Sequence, residues 1–163
     1  MSNLGLEHAL SSRSIPFKRV PVGDRHIMEM LKREGWVLGG ESSGHIICLD
    51  RTSTGDGIVS ALQVIAYMMK KGRSLHQLKS GMTKYPQCLV NVKMKKRMDI
   101  TSSKPVQEAV KQAETQLADT GRILLRLSGT EPLVRVMVEG KDADQVKQVA
   151  HDIAGVVSDV MEA

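Results

Sequence analysis

The sequence has few aromatic residues, few cysteines and no long apolar run. Aromatic residues make up 2% of the 163 positions, so the core must be aliphatic and rich in methionine. Stacking platforms for single-stranded nucleic acid are therefore missing. Cys48 and Cys88 lie in apolar runs without metal-ligand spacing, which indicates buried, reduced thiols. No segment approaches the roughly 20 apolar residues of a membrane span, and the N-terminus has no signal-peptide pattern. These absences predict a cytoplasmic protein with no membrane partner.

The charge balance favours an anionic ligand or nucleic acid. Hydrophobic residues make up 41% of the chain and charged residues 25%, as in globular proteins, and the formal net charge is +5. The densest basic run, residues 93–97, follows a strand-like stretch and is better explained as a solvated strand end or loop. Because no nucleic-acid-binding module is recognisable, we expect no nucleic-acid partner.

Residues 1–82 predict a first domain in which helices and strands alternate as layers. Its first four residues resemble the middle of a strand. A helix predicted at 57–71 is apolar around most of its circumference, which favours burial between layers, and Ser53 or Thr54 is expected to cap it. The other predicted elements are helices at 4–13 and 24–33, the second capped by Asp24, and strands at 17–22, 36–38 and 45–49.

Residues 86–163 predict a second domain, separated from the first by the breakers Gly81 and Pro86. An antiparallel sheet with two helices on one face would bury one side of each strand and leave the other side open. The predicted strands are 88–95, 121–127 and 133–139, and the predicted helices are 105–118 and 143–160. The fold class is therefore an α/β/α layer unit followed by a helix-covered antiparallel sheet.

The hairpin formed by the last two predicted strands carries a candidate anion site. Pairing Arg126 with Arg135 places six apolar residues on one face, and a slip of one residue would mix the two faces. They are Ile123, Leu125, Leu127, Val134, Val136 and Val138. The connecting turn contributes Ser128, Gly129 and Thr130. Guanidiniums match phosphate oxygens with two parallel hydrogen bonds, and successive amides in a tight turn bind anions. The pattern fits a phosphate clamp and an ordinary glycine turn about equally well.

A second candidate site is the polar turn at residues 40–45. Glu41 can accept hydrogen bonds from two neighbouring sugar hydroxyls, Ser43 can donate and accept, and the imidazole of His45 could move a proton to or from a hydroxyl. A plain polar turn between two strands explains the same residues, and taken alone it is the better explanation.

Three further stretches have simpler explanations. Arg25, at residues 22–25, could reach an anion, although a helix start at Asp24 explains that stretch equally well. Residues 51–57 are mainly a capped helix start and only weakly an anion site. Asp142 and Asp144 stand at another helix start, where acidic residues are expected, so we predict no metal site there.

Four stretches, in this order along the chain, resemble the C-terminal half of the α-D-phosphohexomutases. They are residues 22–25, 41–45, 51–57 and 126–140. The first and last are most similar to bacterial members of the family that act on glucosamine phosphates. The resemblance covers essentially the whole chain.

This resemblance implies a role for each candidate residue. Residues 1–82 would be the family's domain 3, an α/β/α domain with a sugar-binding loop, and residues 86–163 its phosphate-binding domain 4. Glu41 and Ser43 would bind sugar hydroxyls, and His45 would be a proton shuttle near the reacting oxygens. The non-reacting phosphate would be held by the residues that match the family's phosphate-binding motif: Arg126, Ser128, Gly129, Thr130 and Arg135. Arg25 would be a further substrate-binding residue.

Two parts of the family's machinery are missing. Its catalytic phosphoserine stands in a Thr-Ala-Ser-His-Asn-like loop and its Mg²⁺ in an Asp-x-Asp-x-Asp-Arg loop, and neither pattern occurs in these 163 residues. The resemblance implies Mg²⁺ in the parent enzyme and none on this chain. We therefore expect a C-terminal fragment of an isomerase acting on a hexosamine phosphate, inactive without its N-terminal domains 1 and 2. The alternatives are a phosphoglucomutase or phosphomannomutase fragment and a stand-alone sugar-phosphate-binding module.

Overall fold

The structure is a computed structural model that describes residues 1–94, 100–129 and 131–162. The chain divides into two compact units, Met1–Lys84 (unit 1) and Tyr85–Ala163 (unit 2). Among the described helices, none combines the length and the apolar character needed to cross a bilayer. Each unit is described by itself below.

Unit 1 contains helices and a short antiparallel hairpin. The helices are α1 (Leu4–Ser11), α2 (Asp24–Glu34), α3 (Gly57–Lys71) and α4 (Leu75–Leu78), and the strands are β1 (Leu38–Gly40) and β2 (Ile46–Cys48). Leu38 pairs with Cys48 and Gly40 with Ile46. The predicted strands at 36–38 and 45–49 are thus present, displaced or shortened by one to two residues.

The β1–β2 hairpin lies between α2 and α3. On one face, a Cβ at Gly39 would stand 2.5 Å from Ile27 of α2, so glycine permits the close approach of helix and strand. On the other face, Leu38, Ile46 and Cys48 line a cavity of about 370 Å³ together with residues of α3. This arrangement confirms the predicted α/β/α layering.

Two expectations for the start of unit 1 are wrong. Residues 17–22 form no strand, because an extended run becomes a strand only where another segment pairs with its backbone. Asn3 lies in no strand either. Its side chain accepts a hydrogen bond from the Gly5 amide at 3.0 Å and caps α1.

The predicted caps of α2 and α3 are also wrong by a few residues. Asp24 is the first residue of α2, and Gly23 precedes it as the N-cap. The α3 cap is Asp56, in place of Ser53 or Thr54. Its carboxylate accepts from the amides of Ile58 and Val59 at 2.8 and 2.9 Å. A carboxylate beside the first amides of a helix also stabilises the positive end of its dipole.

Helix α3 is covered on one side only. Ser60, on the side toward the hairpin, is 9% exposed. The opposite stripe carries large apolar side chains that are 50–78% exposed: Ile58, Leu62, Ile65 and Met69. The expectation of burial between two layers therefore holds for one face of α3 and is wrong for the other.

Unit 2 is built on a three-stranded antiparallel sheet in the order β3-β5-β4. The strands are β3 (Gln87–Lys93), β4 (Gly121–Leu127) and β5 (Leu133–Gly140), and the helices are α5 (Lys104–Leu117) and α6 (Ala143–Glu162). Asp142 accepts from the Gln145 amide at 2.9 Å, which supports the predicted start of α6. The predicted ends of all five elements are correct to within two residues.

Both helices of unit 2 pack on one face of the sheet, as predicted. Val134, Val136 and Val138 of the central strand are 0% exposed and meet Val106 of α5 and Val149 of α6 in one apolar cluster. Burying one such side chain stabilises the fold by about 1.5–3 kcal/mol. The core is aliphatic, as the shortage of aromatics requires. Both cysteines are free thiols, with Cys48 buried as expected and Cys88 only half-buried.

Candidate functional site

Two arginines stand directly opposite each other on the central hairpin of unit 2. Arg126 of β4 pairs with Arg135 of β5, in the register expected from the apolar pattern. On the same face of the hairpin, Arg122 of β4 pairs with Glu139 of β5. Side chains two residues apart on a strand point to the same face. The sheet therefore presents one mixed pair and one pair of like charges on the face opposite the helices.

The two cross-strand pairs differ in how their charges are balanced. Arg122 donates from Nε to Oε1 of Glu139, whose side chain is 0% exposed. The arginine pair, Arg126 and Arg135, has much weaker compensation. Arg135 is 3.5 Å from Oε2 of Glu131, and Arg126 forms no hydrogen bond or ion pair with any residue that the structure describes. Like charges directly opposite each other destabilise a sheet.

The arginine pair therefore has capacity for an anion. Nε of Arg135 is buried and has no hydrogen-bond partner among the described residues. A buried polar group left without a partner costs about 1–3 kcal/mol. A bound oxyanion would relieve both the like-charge repulsion and the unused donor, since guanidiniums bind such groups through charge-assisted hydrogen bonds.

The turn after β4 adds backbone groups beside the arginine pair. Ser128 is 5% exposed, and its Oγ accepts from the Glu131 amide at 3.3 Å. Gly129 is exposed, and nothing stands within 4 Å of where its Cβ would be. Thr130, the third residue predicted in this turn, lies outside the described residues. The Ser128 hydroxyl thus stabilises the turn through a hydrogen bond within it.

Sequence reasoning missed two residues on the same face. Asn91 of β3 pairs with Arg135, so Asn91, Arg135 and Arg126 form one row across the three strands. Lys93, two residues further along β3, pairs with Leu133 and is exposed. The alternation of polar and apolar residues along β3 would have placed Asn91 and Lys93 together on a polar face. The strand order β3-β5-β4, which brings that face beside the arginines, has no local signal in the sequence.

The candidate sugar loop, residues 40–45, lies in unit 1 at the connection between β1 and β2. Oε1 of Glu41 accepts from the Gly23 amide at 2.9 Å, and its Oε2 accepts from Oγ of Ser43 at 3.2 Å. Each carboxylate oxygen keeps capacity for another donor, because an ionised carboxylate offers about four acceptor positions. Two hydrogen bonds therefore orient the Glu41 carboxylate, which can still accept hydrogen bonds from neighbouring hydroxyls.

His45 closes the sugar loop and faces the start of α2. Its backbone carbonyl accepts from the Glu41 amide at 2.9 Å. Its Nδ1 lies 3.9 Å from Oδ2 of Asp24, and the imidazole is 35% exposed. The structure therefore brings residues 23–24 to the turn that carries Glu41, Ser43 and His45. The sequence had left these two stretches separate.

Arg25 is placed differently from the other candidates. Its side chain is 84% exposed, and Nε donates to Oε1 of Glu29 at 2.9 Å. This hydrogen bond from Arg25 lowers the pKa of Glu29 below its ordinary value, with a smaller contribution from His26. Arg25 is thus near the sugar loop in sequence but pairs with its own helix in the structure.

The remaining stretches have structural roles. In the segment before α3, Asp56 caps the helix, and Arg51 pairs with Asp50 at 3.2 Å. Within the described part of the chain, no group of three or more histidine, cysteine, aspartate or glutamate residues is arranged to hold a metal ion. Asp142 serves as the helix cap described above.

Comparison with known proteins places both units in one family. Residues 1–85 match the phosphoglucomutase/phosphomannomutase alpha/beta/alpha domain III, and residues 89–156 match the C-terminal domain of the same family. A phosphoglucosamine mutase from Nitrosococcus oceani is 58% identical over 94% of this chain and 34% of its own length. Another from Methylococcus capsulatus is 55% identical over 100% of this chain and 36% of its own length. The chain spans about a third of the curated relatives it matches.

Solved structures support the same fold. An Aspergillus fumigatus N-acetylphosphoglucosamine mutase superimposes with a TM-score of 0.81 at 20% identity, over 98% of this chain and 37% of that one. A variant of the same enzyme, in complex with glucose 1,6-bisphosphate, gives a TM-score of 0.79 at 21% identity over the same shares of the two chains. At this identity the likeness shows the fold alone. The two matched domains establish that the chain belongs to the phosphoglucomutase/phosphomannomutase family, the α-D-phosphohexomutases.

Proposed function

We propose that this chain is the sugar- and phosphate-binding C-terminal part of a phosphoglucosamine mutase. Relatives of that name are 48–58% identical to it over nearly its whole length. The complete enzyme would interconvert glucosamine 6-phosphate and glucosamine 1-phosphate. In the scheme that the family resemblance implies, a phosphoserine transfers its phosphoryl group to the free sugar hydroxyl and gives a bisphosphate. The other phosphate then returns to the serine.

Such a scheme needs a site that accepts the sugar in two opposite orientations. Glu41 and Ser43 suit this need because they would bind ring hydroxyls and not the phosphates. His45 would accept or return the proton of the reacting hydroxyl through its imidazole. We assign this sugar-binding role to the domain at residues 1–82.

The domain at residues 86–163 would hold the phosphate that is not reacting. The observation that carries this assignment is the direct pairing of Arg126 with Arg135 beside the turn after β4. Ser128, Gly129 and Thr130 would contribute that turn. Because the Ser128 amide donates to the Leu133 carbonyl at 2.9 Å, the two guanidiniums would be the principal donors to the phosphate. Asn91 and Lys93 of β3 lie on the same face of the sheet as the two arginines. Arg25 would take part only after leaving Glu29, so we assign it a secondary role in phosphate contact.

The chemistry itself requires groups from outside this chain. The phosphoserine and the Mg²⁺ loop implied by the resemblance belong to N-terminal domains 1 and 2, the partners of this chain in a cytoplasmic enzyme. The described residues do not fit the metal, because no cluster of three or more suitable side chains is present among them. A bound Mg²⁺ would neutralise charge on the transferred phosphoryl group. This chain's residues would bind and orient the substrate.

The phosphate assignment is tested by titrating the isotope-labelled chain with inorganic phosphate and following backbone amides by NMR. We expect shifts at Arg126–Gly129 and at Arg135. Arg126→Ala removes one charge-assisted contact worth about 1.5–3 kcal/mol, which weakens phosphate affinity roughly 10- to 150-fold.

A matched control removes the same charge elsewhere in unit 2. Lys111 is exposed on α5, and α5 packs on the face of the sheet opposite the arginines. Lys111→Ala should therefore leave phosphate affinity within about twofold of the original. Equal losses in the two variants, or shifts that avoid the turn, would contradict the clamp. Turnover of glucosamine, glucose and mannose phosphates by the full-length enzyme would then identify the substrate.

A further inference from the structure

Gly55 lies directly against the imidazole of His45. A Cβ at position 55 would stand 1.5 Å from Nε2, 2.2 Å from Cδ2 and 2.7 Å from Cε1 of that ring. Ordinary van der Waals contact begins at 3.4 Å. No side chain larger than hydrogen fits at position 55 while the ring keeps its place.

The backbone of Gly55 does not itself require glycine. The glycines with positive φ are Gly23, Gly35, Gly44 and Gly72, so Gly55 has a conformation open to other residues. Gly57, two positions along, also lacks a positive φ, and nothing stands within 4 Å of its Cβ position. The imidazole is therefore the obstacle to a side chain at position 55.

The backbone on either side of Gly55 is held in place. Gly55 forms an isolated β-bridge with Ile47 of β2, whose side chain is 1% exposed. The next residue, Asp56, caps α3 through two hydrogen bonds. A substitution at Gly55 would consequently displace the exposed end of the His45 side chain more readily than the backbone.

We propose that Gly55 is a positioning residue for His45. Its backbone lies against the Nε2 edge of the imidazole, while Oδ2 of Asp24 lies 3.9 Å from Nδ1. With alanine at position 55, Nε2 must retreat by about 2 Å, from 1.5 Å to the 3.4 Å of ordinary contact. A displacement of about 1 Å in a catalytic group can cost roughly 100-fold in rate. The functional part of this proposal rests on the proposed role of His45 in sugar-phosphate turnover.

The test is NMR on the full 163-residue chain, comparing Gly55→Ala with the matched control Gly57→Ala. In the original chain and in the control, we expect nuclear Overhauser effects between the His45 ring protons and residue 55. In Gly55→Ala we expect those effects to be lost and the ring signals to move, while the amides of α2 and β2 stay in place. A ring that keeps its contacts in Gly55→Ala would overturn the proposal.

A second readout separates positioning from simple packing. Glucosamine 6-phosphate is added as the probe, and the His45 ring signals and the Glu41 and Ser43 amides are followed together. Gly55→Ala should abolish the response of the ring and preserve that of the two amides. An unchanged ring response despite a displaced ring would overturn the positioning role.

Failure of this proposal and failure of the proposed function give different results. If the original chain shows no response to the probe at the sugar loop, the proposed function is contradicted and the functional part of the proposal falls with it. An unmoved ring in Gly55→Ala contradicts the proposal alone.

Should Gly55→Ala fail to fold, adding His45→Ala removes the clash. Restored folding then supports the contact, and continued unfolding refutes it.

Discussion

Arg122→Ala is expected to destabilise unit 2 more than Glu139→Gln does. The two residues are cross-strand partners on β4 and β5, and Nε of Arg122 donates to Oε1 of Glu139. Their burial is unequal, because the Glu139 side chain is 0% exposed and that of Arg122 is 22% exposed. Losing the arginine leaves a carboxylate that cannot reach water, whereas losing the glutamate charge leaves an arginine that can.

The size of each loss in stability follows from the unequal burial of Arg122 and Glu139. Removing one partner of a buried ion pair costs about 3–5 kcal/mol, and the partial exposure of Arg122 puts Arg122→Ala near the lower value. Glu139→Gln keeps an acceptor for Arg122 and should cost about 1 kcal/mol. Replacing both residues, by Met at 122 and Leu at 139, should bring stability to within about 1 kcal/mol of the original, because no buried charge remains.

The assay must report on unit 2 separately. The single tryptophan, Trp36, lies in unit 1. Amide hydrogen exchange at Val136 and Val138 of the central strand measures the opening free energy of that sheet. A cost below about 1 kcal/mol for Arg122→Ala, or a larger cost for Glu139→Gln, would refute the reasoning.

Two further predictions concern the core and the surface. Val136→Ala removes buried methyl groups from a 0% exposed position and should cost about 1.5–3 kcal/mol by the same exchange measurement. A loss below about 0.5 kcal/mol would contradict a close-packed site. The pKa of Glu29 is lowered chiefly by the hydrogen bond from Arg25, so the pair is formed above the ordinary pKa of 4.5 and is lost as pH falls through the lowered value. Arg25→Ala should move the Glu29 carboxyl titration in an NMR experiment upward, and an unmoved midpoint would exclude the pairing.

The hairpin of unit 2 was predictable because a slip of one residue would mix its two faces. The pairing of Arg126 with Arg135 places Ile123, Leu125, Val134, Val136 and Val138 on one face, and this register is the one observed. The two helices that cover the sheet were likewise predictable, from the periodic spacing of their apolar residues. By contrast, residues 17–22 have strand composition and form no strand, because no segment pairs with them. Local sequence carries no signal for that absence.

The roles of individual side chains were also not fully predictable from the sequence. The sequence named Ser128 as a residue of the turn, but it did not show that Ser128 is only 5% exposed and that its hydroxyl accepts from the Glu131 amide. It also suggested Ser53 or Thr54 as the cap of α3, where Asp56 caps instead. Several residues in such a turn have capping chemistry, and the choice among them depends on where packing makes the helix begin.

By itself the sequence determined the layered fold class, the register of the hairpin and the residue types of both candidate sites. These depend on periodicity and side-chain chemistry, which are local properties. Only the tertiary structure decided that Asn91 lies beside Arg135, that Glu41 is oriented by Gly23 and that Gly55 lies against His45. Each of these contacts joins segments whose meeting depends on strand order or loop path, and neither is encoded in a short stretch of residues.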